Sequence, residues 1–297
     1  MSKSTAAMKN LSLDRLLNFA EVARKGGITA VTGPDVSRQA LISRQIAELA
    51  SHFEVELTRR AGRGIAITQA GAQLARLVNE FETGIEEMRA DVKAAPVAYS
   101  IAASNSVLHW LFLPKLKAIS AELPAVKWTM FHEGTTTIGE KVTMGEIDFG
   151  ICVGTPEGGA LSRRFLGDME YALFVPAAFG TEIAADKILR DLPLALPVGG
   201  TLRRSLDAWA KKARVGLQVR LEVDSYLQAA DTVARGTHAA VLPSLAKATM
   251  PESVSVIKLP ATVAQRRKLW LVWTNRLLRT RGAAEKVRDG LAGALRF

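Results

Sequence analysis

Residues 37–81, SRQALISRQIAELASHFEVELTRRAGRGIAITQAGAQLARLVNEF, decide the fold. Apolar residues fall at Ile42, Ile46, Leu49 and Phe53, steps of four, three and four, which line one face of a helix. The opposite face offers Arg38, Gln39, Ser43 and Arg44, side chains that bond phosphates and base edges. That outer face reads as free of carboxylates. A basic turn follows in ArgArgAlaGlyArgGly at 59–64. Its glycines permit a tight hairpin and its arginines stay solvated, so it suits a wing lying along a phosphate backbone. A buried helix with a polar outer face, then an arginine hairpin, is what a winged helix-turn-helix requires. Taken alone, such a face is more often an ordinary solvated one.

The order and spacing of the motifs resemble the N-terminal domain of LysR-type transcriptional regulators. The matching residues are Leu16, Phe19, Val22, Ala23, Gly26 and Thr29, then Ser43, Arg44, Gln45, Ile46 and Leu49. They continue with Leu57, Arg60, Gly62 and Arg63, then Ile67, Thr68, Ala70 and Gly71. The resemblance implies a DNA interface built from Arg38, Gln39, Ala40, Ser43, Arg44, Arg60 and Arg63. Two departures stand out. Ala40 occupies the place where the family has proline. The family's alanine-rich second helix is replaced by ValThrGlyProAsp at 31–35. Glycine costs roughly 1 kcal/mol inside a helix, and proline turns the preceding residue away from helical angles. A short or reshaped second helix is expected.

Composition agrees with a DNA partner. The 297 residues carry 39 Lys and Arg against 29 Asp and Glu, and 48% are hydrophobic. Such a balance favours an anionic partner through counterion release. No apolar run approaches the roughly 20 residues that span a bilayer. A secretory apolar core is missing from the first residues, and the single cysteine suits a reducing compartment, so a cytoplasmic location is expected.

A helix from Thr68 to about 94 comes next, with Thr68 as its cap. Leu74, Val78, Phe81, Ile85, Met88 and Val92 step by four and three, the a/d repeat of a coiled coil. Leu74, Val78, Phe81, Ile85 and Met88 are therefore the expected dimerisation stripe, although a helix lying on its own domain would also carry one. Pairing two such helices sets two reading heads about a two-fold axis and calls for a palindromic operator on double-stranded DNA.

After Pro96 short strands and helices alternate: strands near 99–103, 126–131, 149–153, 170–176, 194–197, 218–223, 239–242 and 268–273, with helices between. Alternation argues α/β architecture, parallel strands and helices on both faces. Two series imply two lobes, with the strands at 170–176 and 268–274 crossing between them. The segments GlyGluIleAspPheGlyIle at 145–151 and ValAlaArgGlyThrHisAlaAlaValLeuProSer at 233–244 resemble the LysR-type effector domain, with its periplasmic-binding-protein fold. The expected division is 1–67 for the winged helix-turn-helix, 68–95 for the dimerising linker and 96–297 for the effector domain. Its lobes would be 96–173 with 269–297, and 174–268. The resemblance also implies a tetramer assembled through effector domains.

Ligands of open α/β sheets bind beyond the carboxyl ends of strands. Those ends supply Ser104, Asn105, Ser106, Glu133, Thr135, Val153, Thr201 and Ser225 as candidate effector contacts. Helix N-termini there suit a small anion such as a carboxylate, while Glu133 and Asp224 on the rim oppose one. Ordinary helix capping explains any single hydroxyl equally well. Nothing points to catalysis, cofactor or metal. The four histidines lack ligand spacing, and no Walker A, G-x-S-x-G or G-x-G-x-x-G motif occurs. Cys152 lies in an apolar strand without a second cysteine to pair with. The competing hypothesis is a solute-binding module or α/β enzyme whose N-terminal helices only mediate assembly. The arginine hairpin argues against it.

Overall fold

The structure, a computed structural model, describes residues 11–62, 64–93, 95–156, 161–180, 184–261, 263 and 266–297. The N-terminal unit comprises α1 (Leu13–Lys25), α2 (Ile28–Thr32), α3 (Val36–Phe53) and the antiparallel hairpin β1 (Thr58–Ala61) and β2 (Gly64–Ile67). Phe19 and Val22 of α1 pack on Ile42, Ile46 and Leu49 of α3, with Leu57 closing the core. α2 is five residues long and ends at Gly33, whose φ of 61° lies in the left-handed region that glycine adopts without strain. The short second helix thus follows from Gly33 and Pro34.

The linker helix α4 (Gln69–Val92) starts under Thr68, whose hydroxyl accepts the Gly71 N–H at 3.0 Å. Gly71 is required by a close approach. A Cβ there would lie 2.1 Å from the carbonyl oxygen of Leu57. The Thr-x-Ala-Gly run is therefore a joint between hairpin and linker.

The remainder is a sheet in the order β4-β3-β5-β11-β6-β9-β7-β8, with β10 also pairing β6. Its strands are β3 (Val97–Ala103), β4 (Val126–His132), β5 (Phe149–Val153), β6 (Leu161–Pro176), β7 (Leu194–Pro197), β8 (Val219–Val223), β9 (Ala239–Pro243), β10 (Val254–Lys258) and β11 (Arg266–Thr274). β3, β4 and β5 are mutually parallel, as are β7, β8 and β9. β6, β10 and β11 run antiparallel to their neighbours, so the parallel expectation holds only within each lobe. Among the described residues β6 pairs in both lobes: residues 161–170 face β11, and 171–176 lie between β9 and β10. β11 pairs with β5 and the first part of β6, and it carries the chain from β10 back to the first lobe.

The helices are α5 (Asn105–Val107), α6 (Leu116–Glu122), α7 (Thr135–Met144), α8 (Ala185–Asp191), α9 (Gly200–Ala213), α10 (Tyr226–Ala234), α11 (Asn275–Thr280) and α12 (Ala284–Leu295). One wide and one tight turn join α5 to α6 around Pro114, which cannot donate a helical hydrogen bond. Strand alternation divides the first-lobe core. Tyr99, Ile101 and Ala103 meet α6 and α12 on one face; Ala102 and Cys152 meet Ile138 and Val142 of α7 on the other. In the second lobe Ala195 and Ala240 face α10, while Leu194, Leu196 and Val241 face α8 and α9.

Candidate DNA interface and effector cleft

Asp35 caps α3, its carboxylate accepting the Arg38 N–H at 3.0 Å. Arg38, Ala40, Ser43 and Arg44 are exposed on the helix, and Arg59 and Arg60 are exposed on β1. Arg63 lies outside the described residues. Gln39, Ala40, Ser43, Arg60 and Gly62 share the wall of an open groove of about 830 Å³ between the helix-turn-helix and the hairpin. Two details correct the sequence expectation. Gln39 is half-buried and donates through Nε2 to the Gly33 carbonyl at 2.8 Å, so it braces the turn as well as facing the groove. The outer face is not free of carboxylates either. Glu48 flanks it, held by Arg15 of α1 at 3.0 Å and lying 4.0 Å from Arg44. Arg15 offsets that charge, so the surface offered to a phosphate stays net positive.

The expected dimerisation stripe splits in two. Val78 is only 5% exposed and belongs, with half-buried Leu74, to the core of the N-terminal unit. Phe81, Ile85 and Met88 remain exposed, together with Leu77, which the heptad count passes over. Leu11, Leu13, Leu16, Leu77 and Phe81 border an apolar groove of about 420 Å³. The helix turns Leu74 and Val78, in its second and third turns, inward to the core that also holds Leu57 and Phe53.

At the carboxyl ends of the strands a cleft of about 630 Å³ opens between the lobes. Ser104, Asn105, Ser106, Thr135, Val153 and Ser225 all line it. Glu133 and Thr201 do not. The Glu133 carboxylate is paired with Lys141 of α7. Thr201 is exposed at the start of α9, because Leu202 and Leu206 seat that helix on the sheet face away from α10. His132, Met169, Tyr171, Tyr226 and Gln228 also line the cleft, and the sequence alone singles out none of them as a contact. Tyr171 lies where β6 passes between the lobes and Tyr226 opens α10; their rings are 6.0 Å apart. Burial pushes both phenols above their ordinary range, so both stay neutral donors at physiological pH. Ser225 caps α10, its Oγ accepting the Leu227 N–H at 3.2 Å. Thr135 Oγ1 lies 3.3 Å from the Val153 nitrogen, whose N–H it accepts. These two hydroxyls cap or brace backbone and face the cleft at once. The lining has neutral donors and helix starts, and Asp224 is its carboxylate among the described residues.

A family model described as the LysR substrate binding domain matches residues 98–295. The chain belongs to the LysR-type family of transcriptional regulators. Among curated relatives of this LysR-type chain, the uncharacterized HTH-type transcriptional regulator YfeR of Shigella flexneri is 25% identical over 289 residues, 94% of this chain and 93% of the relative. The uncharacterized HTH-type regulator YybE of Bacillus subtilis is 24% identical over 240 residues, 78% of this chain and 82% of its own length. A full-length variant of OxyR from Pseudomonas aeruginosa superposes with a TM-score of 0.64 at 18% identity, covering 95% of each chain. CbnR in complex with its target DNA gives a TM-score of 0.58 at 19% identity, covering 94% of this chain and all of that one. LysG from Corynebacterium glutamicum, solved with bound effector Arg, gives 0.64 at 16% identity, covering 96% and 98%. At these identities the superpositions establish the shared fold.

Cys152 of this regulator is fully buried, and burial pushes its thiol up to about 12. No described helix is long and apolar enough to cross a membrane.

Proposed function

We propose that this LysR-type regulator reads a palindromic operator as a dimer or tetramer, and that a small effector in the cleft between its lobes modulates DNA binding or activation. Residues 1–67 read DNA, 68–95 pair the chains and 96–297 sense the effector. The effector lobes run over 96–173 with 269–297, and over 174–268. Arg38, Ala40, Ser43 and Arg44 meet the major groove, Arg60 and Arg63 meet flanking phosphates, and Gln39 orients the helix. Phe81, Ile85, Met88 and Leu77 pair the linkers. Ser104, Asn105, Ser106, Thr135, Val153 and Ser225 contact the effector, joined by Tyr171 and Tyr226. A carboxylate suits the helix starts, and Asp224 limits how much negative charge fits. The protein is not an enzyme and acts in the cytoplasm.

The observation that carries this reading is the 630 Å³ cleft, lined by strand ends of both lobes and bridged by β6. Such a cleft can close on a ligand, and closure moves one lobe relative to the other. The target DNA held by CbnR and the effector Arg held by LysG support the same reading by kinship.

Protection mapping on DNA upstream of the chain's own gene should show two half-sites about one or more helical turns apart. Log affinity should fall linearly with log salt, and Arg60→Ala should flatten the slope by about one. Ser104→Val should abolish the response to small carboxylates while leaving basal binding unchanged. A salt slope equal to the parent's in Arg60→Ala would remove the hairpin from the interface.

A further inference from the structure

Arg281 follows α11 and is only 5% exposed. Its guanidinium donates to Asp148 Oδ1 at 2.8 Å, to the Ala98 carbonyl at 2.6 Å and to Glu87 Oε1, and it lies 3.7 Å from the centroid of the Tyr99 ring. Asp148 is fixed in turn, accepting the Ser100 N–H at 2.7 Å and the Ser100 hydroxyl at 2.8 Å. Glu87 belongs to the linker helix; the other partners belong to the effector domain. A planar cation with a rigid fork of donors can stack on one ring and bond three acceptors at once, which an ammonium cannot. Buried charge is costly to leave unpaired, so the arrangement strongly favours a single position for Glu87.

Two further contacts lie on the same helix face. Arg276 pairs with Glu80, and Arg76 Nη1 donates to the Thr143 carbonyl at 3.1 Å. At 100° per residue, positions 76, 80 and 87 fall within about 40° of one another, roughly a quarter turn from Leu77, Phe81 and Met88. One helix can therefore pair with a second copy and stay clamped to its own effector domain.

The clamp and the cleft occupy opposite ends of the same strands. Ala98 and Asp148 sit at the amino ends of β3 and β5, while Ser104 and Val153 stand at their carboxyl ends. β11 also runs the whole distance. Arg267 at its start donates to the Val153 carbonyl at 3.4 Å, and Thr274 at its end caps α11, accepting the Leu277 N–H at 3.2 Å.

We propose that Arg281 is a positioning residue that locks each linker helix to its own first lobe through Glu87 and Asp148, and so fixes the angle at which the DNA-reading heads are carried. The proposal rests on the regulator function given above. With the lock in place, the first lobe and linker move as one body when the cleft closes. Without it, the linker swings on Pro96 and lobe movement is not passed on.

The decisive variant is Glu87→Gln in the full-length protein, because it leaves the Arg281–Asp148 pair intact inside the effector domain. Arg281→Lys is the companion. Spin labels at Arg89→Cys and Lys117→Cys, both exposed and placed without modifying buried Cys152, report the distance between linker and lobe when labelled chains are diluted with unlabelled ones. The expected result is a narrow distance distribution in the parent and a broader one in both variants. Amide exchange over residues 84–92 should quicken about tenfold or more without DNA, with an unchanged melting midpoint of the effector domain in Glu87→Gln. If Arg281→Lys lowers that midpoint, Glu87→Gln decides alone. A distribution and exchange rate in Glu87→Gln equal to the parent's would overturn the proposal. Failure of the parent to bind any DNA would instead overturn the regulator function and leave these two measurements standing.

Discussion

Val78 and Phe81 belong to one heptad stripe in sequence but to two different environments in the fold, and substitution should separate them. Val78→Ala removes two methyl groups from a side chain 5% exposed in the N-terminal core. At about 0.8 kcal/mol per buried methylene plus a cavity contribution, the loss is about 2–3 kcal/mol of that unit's stability. The effect should not depend on protein concentration. Phe81 is 51% exposed in the single chain. Covering the exposed half of an aromatic side chain removes about 100 Å² per chain, or about 2.5 kcal/mol, and about 5 kcal/mol for a symmetric pair. Phe81→Ser should therefore raise the dimer dissociation constant by roughly a thousandfold or more. Sedimentation velocity across a concentration series, with thermal melts of the same samples, measures both. Phe81→Ser should melt near the parent at high concentration and dissociate on dilution; Val78→Ala should melt early at every concentration. The reasoning fails if Val78→Ala dissociates the protein without lowering its melting temperature, which would restore a single interface stripe.

Two other outcomes follow from close packing. Gly71→Ala should destabilise the junction of hairpin and linker by several kcal/mol, since its Cβ would lie 2.1 Å from backbone oxygen; a chemical denaturation midpoint like the parent's would mean that the joint has slack. Cys152, with its thiol pushed up to about 12, should resist alkylation at pH 8, where only about one thiol in ten thousand is ionised, and should react at the global unfolding rate. Rapid labelling of native protein, read by intact mass, would show a breach in the sheet that the burial of this residue does not allow.

Some of this molecule is local chemistry and is legible residue by residue. The spacing of Ile42, Ile46 and Leu49 dictates a buried face whatever the helix packs against, and Gly33 with Pro34 ends α2 through backbone angles alone. The same holds for the caps at Thr68 and Ser225 and for the strand ends that gather Ser104, Thr135, Val153 and Ser225 around one cleft. Only the tertiary structure decided which apolar face of the linker is buried inside its own domain, because Leu74 and Val78 look like Phe81 and Met88 until Leu57 and Phe53 arrive from elsewhere in the chain. It also decided that Thr201 stays outside the cleft lining, since two leucines on α9 choose a sheet face that the strand end does not specify. Tyr171 and Tyr226, 55 residues apart, meet only because β6 runs through both lobes. Arg281 and Glu87 are 194 residues apart and carry no motif between them. Periodicity records what each element needs to bury. It cannot record which distant element will bury it, and long-range pairs of charge or ring exist only once the sheet order has been set.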